Sequence, residues 1–133
     1  MTVQVIEGLL KGSAWEEVDV FARDEAVKVT EVKEKWEFSG DGVSGQGDVV
    51  YVMAYRETGI VDFVGFEMLE MTAHGLSGTL FLRSEGVFEQ GTATCKWTVQ
   101  PDMSTGDFKG ATGSGGYAAH GHDPVAFKLE LSI

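Results

Sequence analysis

The feature that most limits what this chain can fold into is an apolar residue at every second position, repeated in short runs. Val49, Tyr51, Met53 and Tyr55 alternate with smaller or polar neighbours; Val125, Phe127, Leu129, Leu131 and Ile133 alternate with residues that include Lys128, Glu130 and Ser132. A period of two puts successive side chains on opposite faces of an extended backbone, so these runs read as half-buried strands. The same pattern extends over residues 61–71, 80–88 and 93–99. Further strands are expected near residues 4–15 and 27–38, with a glycine-rich one near 107–119. That makes eight. The run at 61–71 is apolar on its second face too (Val64, Phe66, Met68), so it calls for cover on both sides, by neighbours or by another subunit.

Turn chemistry separates the runs. The chain has eighteen glycines against two prolines, and Ser39-Gly40-Asp41-Gly42, Glu57-Thr58-Gly59, His74-Gly75, Glu89-Gln90-Gly91, Pro101-Asp102 and His120–Pro124 all carry turn signals. Short connections make neighbouring strands hairpin partners, and a long meander loses its adhesive edges by closing on itself. We therefore expect one all-β domain over residues 1–133, an eight-stranded antiparallel meander closed into a β-barrel. One stretch competes: Ser13-Ala14-Trp15-Glu16 matches a helix capping box, and Trp15, Val18 and Phe21/Ala22 recur at helical spacing. A short helix over residues 13–25 is the alternative there.

Charge narrows the partners. Twenty-one acidic residues against ten basic ones give a net charge of −11, which repels nucleic acid and anionic membrane surfaces. No apolar run approaches the ~18 residues of a membrane helix, and Met1–Glu7 has none of the features of a signal peptide. The expectation is a soluble cytoplasmic protein. The single cysteine, Cys95, can form neither an internal disulfide nor a multi-cysteine zinc site, and reads as core.

Several motifs fall away on inspection. Gly40–Gly45 matches GxGxxG, but a strand and not a helix follows, so no pyrophosphate site is expected. His120 and His122, two apart, would point the same way on a strand and with the Asp123 carboxylate could hold a transition metal. No third ligand is identifiable, and a polar, glycine-containing loop before Pro124 explains them as well, so neither metal nor cofactor is expected. No GxSxG elbow or cysteine–base pair suggests a nucleophile.

The barrel interior is what remains. If Tyr51, Met53 and Tyr55 point inward, Phe63, Gly65, Glu67 and Leu69 line the next strand on the same side, and Trp36, Phe38 and Trp97 complete an aromatic wall. Glu67 is then a carboxyl among apolar groups, where burial raises its pKa unless donors pair with it, and Tyr51 and Tyr55 are the natural donors. Eight strands enclose a lumen barely wide enough for side chains, so a filled barrel stays open beside a ligand pocket.

A set of short motifs in order carries a resemblance. Phe38-Ser39-Gly40-Asp41-Gly42-Val43-Ser44-Gly45-Gln46-Gly47 is followed by Tyr51–Arg56, Phe63–Glu67, Gly86-Val87-Phe88, Trp97-Thr98-Val99-Gln100-Pro101 and Thr105–Gly110 with Gly113 and Gly115. From about Trp15 onward the chain resembles the bacterial domain-of-unknown-function family 3224. The resemblance implies an allene-oxide-cyclase-like, calycin-like barrel of eight antiparallel strands and implies no activity. Family members often carry a histidine where Ser84 stands, so a site needing that imidazole is not implied here. Three functions follow as expectations: a module binding a small apolar molecule in the lumen, a cyclase or isomerase using a lumen carboxylate, or an interaction protein with a filled barrel, a homo-oligomer among its forms.

Overall fold

The computed structural model describes residues 2–121 and 124–133, which form a closed barrel of eight antiparallel strands in sequence order. The strands are β1 (Val3–Ala22), β2 (Lys28–Gly40), β3 (Val43–Tyr55), β4 (Val61–Ala73), β5 (Leu76–Glu89), β6 (Thr92–Val99), β7 (Thr112–His120) and β8 (Val125–Ser132). Closure is made where β1 pairs with β8, from Val3 opposite Ser132 to Leu10 opposite Val125. No helix among the described residues is long and apolar enough to cross a membrane.

Turn residues set the hairpins. His74 and Gly75, and likewise Gln90 and Gly91, both have positive φ, as a two-residue hairpin turn matched to strand twist requires. The GxGxxG run is the β2–β3 hairpin, with Gly40 paired to Val43 across Asp41-Gly42. Glycines also admit close approach: a Cβ on Gly86 would lie 2.4 Å from the Phe63 ring and 2.2 Å from the Thr94 carbonyl oxygen.

Three expectations change. Residues 13–22 are strand, not helix, because Ala14–Ala22 pair with Lys28–Lys35 of β2. Register shifts at Gly12/Ala14 and Asp19/Phe21 move the strand out of phase, so Val18 and Phe21, three apart, pair with the outward-facing Glu31 and Val29. The helical spacing of Val18 and Phe21 is that of a strand interrupted by a bulge, whereas Trp15 lies on the opposite face, against the barrel interior. Second, β3 begins at Val43, earlier than the alternation from Val49 suggests. Third, the glycine-rich strand begins at Thr112; residues before it form a 3-10 turn at Gly106–Phe108.

That turn belongs to the connection between β6 and β7, which seals one end of the barrel. β6 covers β5 only from Leu82 to Glu89, and the connection takes over the rest of the edge. Thr105 N–H donates to the Thr79 carbonyl (2.9 Å), the Asp107 carboxylate accepts from Ser77 N–H (2.9 Å), and Ser104 Oγ accepts from Phe81 N–H (3.1 Å). Phe108 is thereby fully buried beneath Leu69, Leu80, Leu129 and Leu131, all four without solvent exposure. At the other end β1 continues past its last pair with β8, and beyond Leu10 its second edge has no strand partner among the described residues. Bulges and the charges of Glu16, Glu17 and Asp19 mark this edge, devices that discourage edge-to-edge pairing.

Candidate functional site

Strand alternation sends Thr30, Val32, Glu34, Trp36 and Phe38 of β2 inward, with Val49, Tyr51 and Met53 of β3 and Phe63 and Glu67 of β4. The sealed half of the interior is solid with aliphatic and aromatic side chains. The other half is a cup: a cavity of about 690 Å³, open at the end away from Phe108. Its walls include Trp15, Trp36, Tyr51, Met53, Phe63, Phe88 and Tyr117, with Glu34 the one carboxyl among them. A groove of about 830 Å³ also runs past Lys11, Glu37, Gln46, Glu70 and Thr79. Its lining mixes polar side chains of the outer surface with Leu9, Leu10, Phe38, Met71 and Pro124, and none of the buried polar residues Thr30, Glu67, Ser84 and Ser104 borders it.

Behind the cup sits Glu67, fully buried. Its Oε2 accepts three hydrogen bonds: from Ser84 Oγ at 2.5 Å, Trp97 Nε1 at 2.7 Å and the Tyr51 hydroxyl at 3.0 Å. Its Oε1 is buried without a partner among the described residues. Glu67 itself does not line the cavity; Tyr51 and Tyr117 do. The Tyr117 and Tyr51 oxygens are 3.1 Å apart. Because Tyr51 gives its only proton to Glu67, Tyr117 donates to Tyr51, and the chain Tyr117–Tyr51–Glu67 connects the buried carboxylate to the cup. Packing fixes the rings in place: Tyr117 lies 5.2 Å from Trp36 and 5.7 Å from Trp97, and Tyr51 5.0 Å from Phe63, within the range of favourable edge and tilted contacts.

Burial governs the protonation of the whole cluster. It raises Glu67 to about 7 against the lowering effect of the Ser84, Trp97 and Tyr51 bonds, with a smaller upward push from Glu34. Glu34 is raised to about 7, again by burial, partly offset by the Trp36 indole. Burial first, then the Glu67 charge, keeps Tyr51 well above the ordinary phenol value, and Tyr117 is raised likewise, chiefly by burial. Both hydroxyls therefore stay protonated. Cys95, pushed to about 12 by burial and then by Glu67, is a thiol and no nucleophile.

Of the residues expected at the site, Glu67, Tyr51 and Trp97 meet in one hydrogen-bonded cluster, and Trp36, Met53 and Phe63 line the cup above it. Tyr55 does not join them. It is half-buried at the rim, where its hydroxyl donates to Glu17 and Lys28 Nζ lies 5.2 Å from its ring. Thr30 Oγ1 also donates to Glu17 (2.6 Å), as does Trp15 Nε1 (3.3 Å). Burial alone would raise Glu17, but the Thr30, Tyr55 and Trp15 bonds and the Lys28 charge together hold it below the usual carboxylate value. The reason for the separation is depth: Tyr55 ends β3 two residues beyond Met53, above the level of the cup floor.

Ser84, Tyr117 and Glu34 were not singled out as site residues. Glu34 was legible, since it stands two positions before Trp36 on the same strand face. Ser84 follows Leu80 and Leu82 in phase, but a small hydroxyl in an apolar run carries no signal of its own. Tyr117 had no local signal, because Gly113, Gly115 and Gly116 interrupt the alternation around it. No group of three metal-ligating residues occurs among the described residues; His120 Nδ1 is 2.9 Å from Thr92 Oγ1, and His122 and Asp123 lie outside the described residues.

The architecture defines a closed eight-stranded meander barrel, sealed at one end and cupped at the other. A sequence model of the family described as "Protein of unknown function (DUF3224)" matches residues 6–131, and the chain belongs to that family. The fold is similar to the crystal structure of a DUF3224-family protein of unknown function from Shewanella oneidensis MR-1, with a TM-score of 0.76 and 13% identity over 99% of this chain and 98% of that one. No curated protein matches the chain.

Proposed function

We propose that the protein binds a small, largely apolar and uncharged or cationic molecule in the cup, with a hydroxyl or amine of the ligand held at Tyr117. The observation that carries this reading is the cavity of about 690 Å³ whose aromatic wall includes the Tyr117–Tyr51 pair backed by buried Glu67. Such a pocket, apolar with a few convergent polar groups, is the usual form of a small-molecule site. With Glu67 ionised, both tyrosine protons point toward it, and the Tyr117 oxygen is left as an acceptor for a ligand donor. Acidic groups at the mouth, Glu17 and Glu34, together with the net charge of −11, disfavour anions.

Indole fluorescence tests this directly, since Trp15 and Trp36 line the cup. Neutral aromatic alcohols are expected to change the emission saturably, one per chain, while the matching carboxylates do not. Ala119→Trp, which fills the cup from β7, should abolish the change. If no alcohol alters the emission, or if Ala119→Trp responds like wild type, the cup is not a ligand site.

A second reading is favoured by the value of about 7 reached by Glu67, a carboxyl able to take up and release a proton near neutrality through two hydroxyls. On that reading the protein is an enzyme of the cyclase or isomerase kind, and Glu67→Gln should stop turnover of a ligand found by the fluorescence titration while leaving its binding intact.

A further inference from the structure

We infer that a second copy of this chain packs on the outer face of β3 and β4, forming a two-fold dimer whose two cups open at opposite ends. The second apolar face of β4 lies on the outside of the barrel. Val50, Val52, Val64, Phe66 and Met68 are 37–50% exposed there, and Phe81 extends the patch, 6.2 Å from Phe66 ring to ring. Register makes the patch continuous, with Val50 opposite Phe66, Val52 opposite Val64 and Met68 opposite Phe81.

Charge says what covers it. On β2, Glu31 pairs with Val52 and Lys33 with Val50; on β5, Glu85 pairs with Val64 and Arg83 with Phe66. The outer face therefore carries two adjacent rows: Glu31–Val52–Val64–Glu85, acidic at both ends, and Lys33–Val50–Phe66–Arg83, basic at both ends. None of these four charges has an ion-pair partner among the described residues. A two-fold axis running across the strands between the rows lays each row on the other row of the second copy. Glu31 then meets Lys33, Glu85 meets Arg83, and Val64 meets Phe66, each contact made twice by symmetry. An axis along the strands would set Lys33 on Arg83 and Glu31 on Glu85, and the same charges exclude it.

The arrangement has the ordinary anatomy of an interface, an apolar centre with a charged rim. It also aligns the strands of the two packed sheets, a preferred sheet-on-sheet geometry. The barrel is convex here, so valines and phenylalanines touch at the crest while the long rim side chains reach round the curve. These four charges sum to zero on a chain of net charge −11, which makes this a face two acidic copies can bring together.

Sedimentation velocity on the full chain over roughly 1–100 µM tests the dimer by mass action. Wild type is expected to be dimeric in the upper part of this range. E31K and K33E each place like charges together, and each should raise the dimer dissociation constant by about tenfold or more. Mixing E31K with K33E in equal amounts should restore dimers as a heterodimer, because each chain then presents the charges the other lacks. The double variant E31K/K33E should dimerise alone. Phe66→Ser provides an independent disruption at the crest, and circular dichroism with thermal melting confirms that each variant is folded. A monomeric wild type throughout overturns the inference, as does a dimer indifferent to E31K and K33E, or a mixture that fails to recover.

Discussion

The two halves of the barrel interior use the same alternation to opposite ends. Below Glu67 the inward positions hold Leu69, Leu80, Leu129 and Leu131 over the Phe108 plug, all without solvent exposure. Above it they hold Trp36, Tyr51, Met53, Phe63 and Tyr117 around open space. An eight-stranded barrel is just wide enough to be filled by side chains, so the cup is a departure within that general rule. Two sequence-level choices make it. The connection from residue 100 to 111 closes one end only, and small residues, Ala93, Ala119 and Gly121, stand at the open mouth where leucines would fill it. The lower half supplies stability, and the upper half is free to be a site.

The largest effects are expected where this division is attacked from the packed side. Phe108→Ala removes the plug and should cost about 3–5 kcal/mol in chemical denaturation, the range of large aromatic truncations in a core. A cost below about 1 kcal/mol would mean the lower half is not a rigid core.

Next comes the boundary between the halves. Glu67→Ala leaves Ser84, Trp97 and Tyr51 as three buried donors without an acceptor and should cost about 3 kcal/mol or more. Glu67→Gln keeps an acceptor oxygen and should cost less, so a reversed order of the two would contradict the hydrogen-bond assignment.

The same carboxyl gives a pH signature. Its folded-state value, about 7, lies above the ordinary 4.5, so the folded form holds a proton that the unfolded chain has already released. The resulting contribution is fully present below pH 4.5 and is lost as pH rises through about 7. Relative to Glu67→Gln, wild type should lose about 3 kcal/mol between roughly pH 4 and pH 8 in denaturation midpoints. Parallel profiles for the two proteins would show that Glu67 is not held protonated.

The smallest effect on stability sharpens the contrast from the open side. Ala119→Trp fills space in the cup and displaces no packed side chain, so its stability should stay within about 1 kcal/mol of wild type. A strong destabilisation there would mean that the mouth is already packed.

Much of this barrel is legible in the sequence. Period two at Val49–Tyr55, Val61–Met71 and Val125–Ile133 identified strands because the pleat alone sets which face a side chain occupies, and the glycine turns at Gly42, Gly75 and Gly91 marked hairpins because few other residues take positive φ. The same pattern put Glu67 and Tyr51 on one face of adjacent strands. It left residues 13–25 open between strand and a short helix, because the bulge at Asp19/Phe21 shifts the strand phase and sets Val18 and Phe21, three apart, on one face. It gave no reason to separate Tyr55 from Tyr51, since periodicity reports facing and not depth.

The sequence by itself determined strand identity, facing and hairpin order, all of which follow from local backbone geometry and from chemistry within a few residues. Only the tertiary structure decided that Trp97 on β6 and Tyr117 on β7 meet Tyr51 and Glu67, and that one half of the lumen is filled while the other is open. The physical reason is closure. Strands far apart in the chain become neighbours across the lumen only when the sheet bends round, and whether the enclosed volume is filled depends on the summed size of inward side chains from all eight strands at each level.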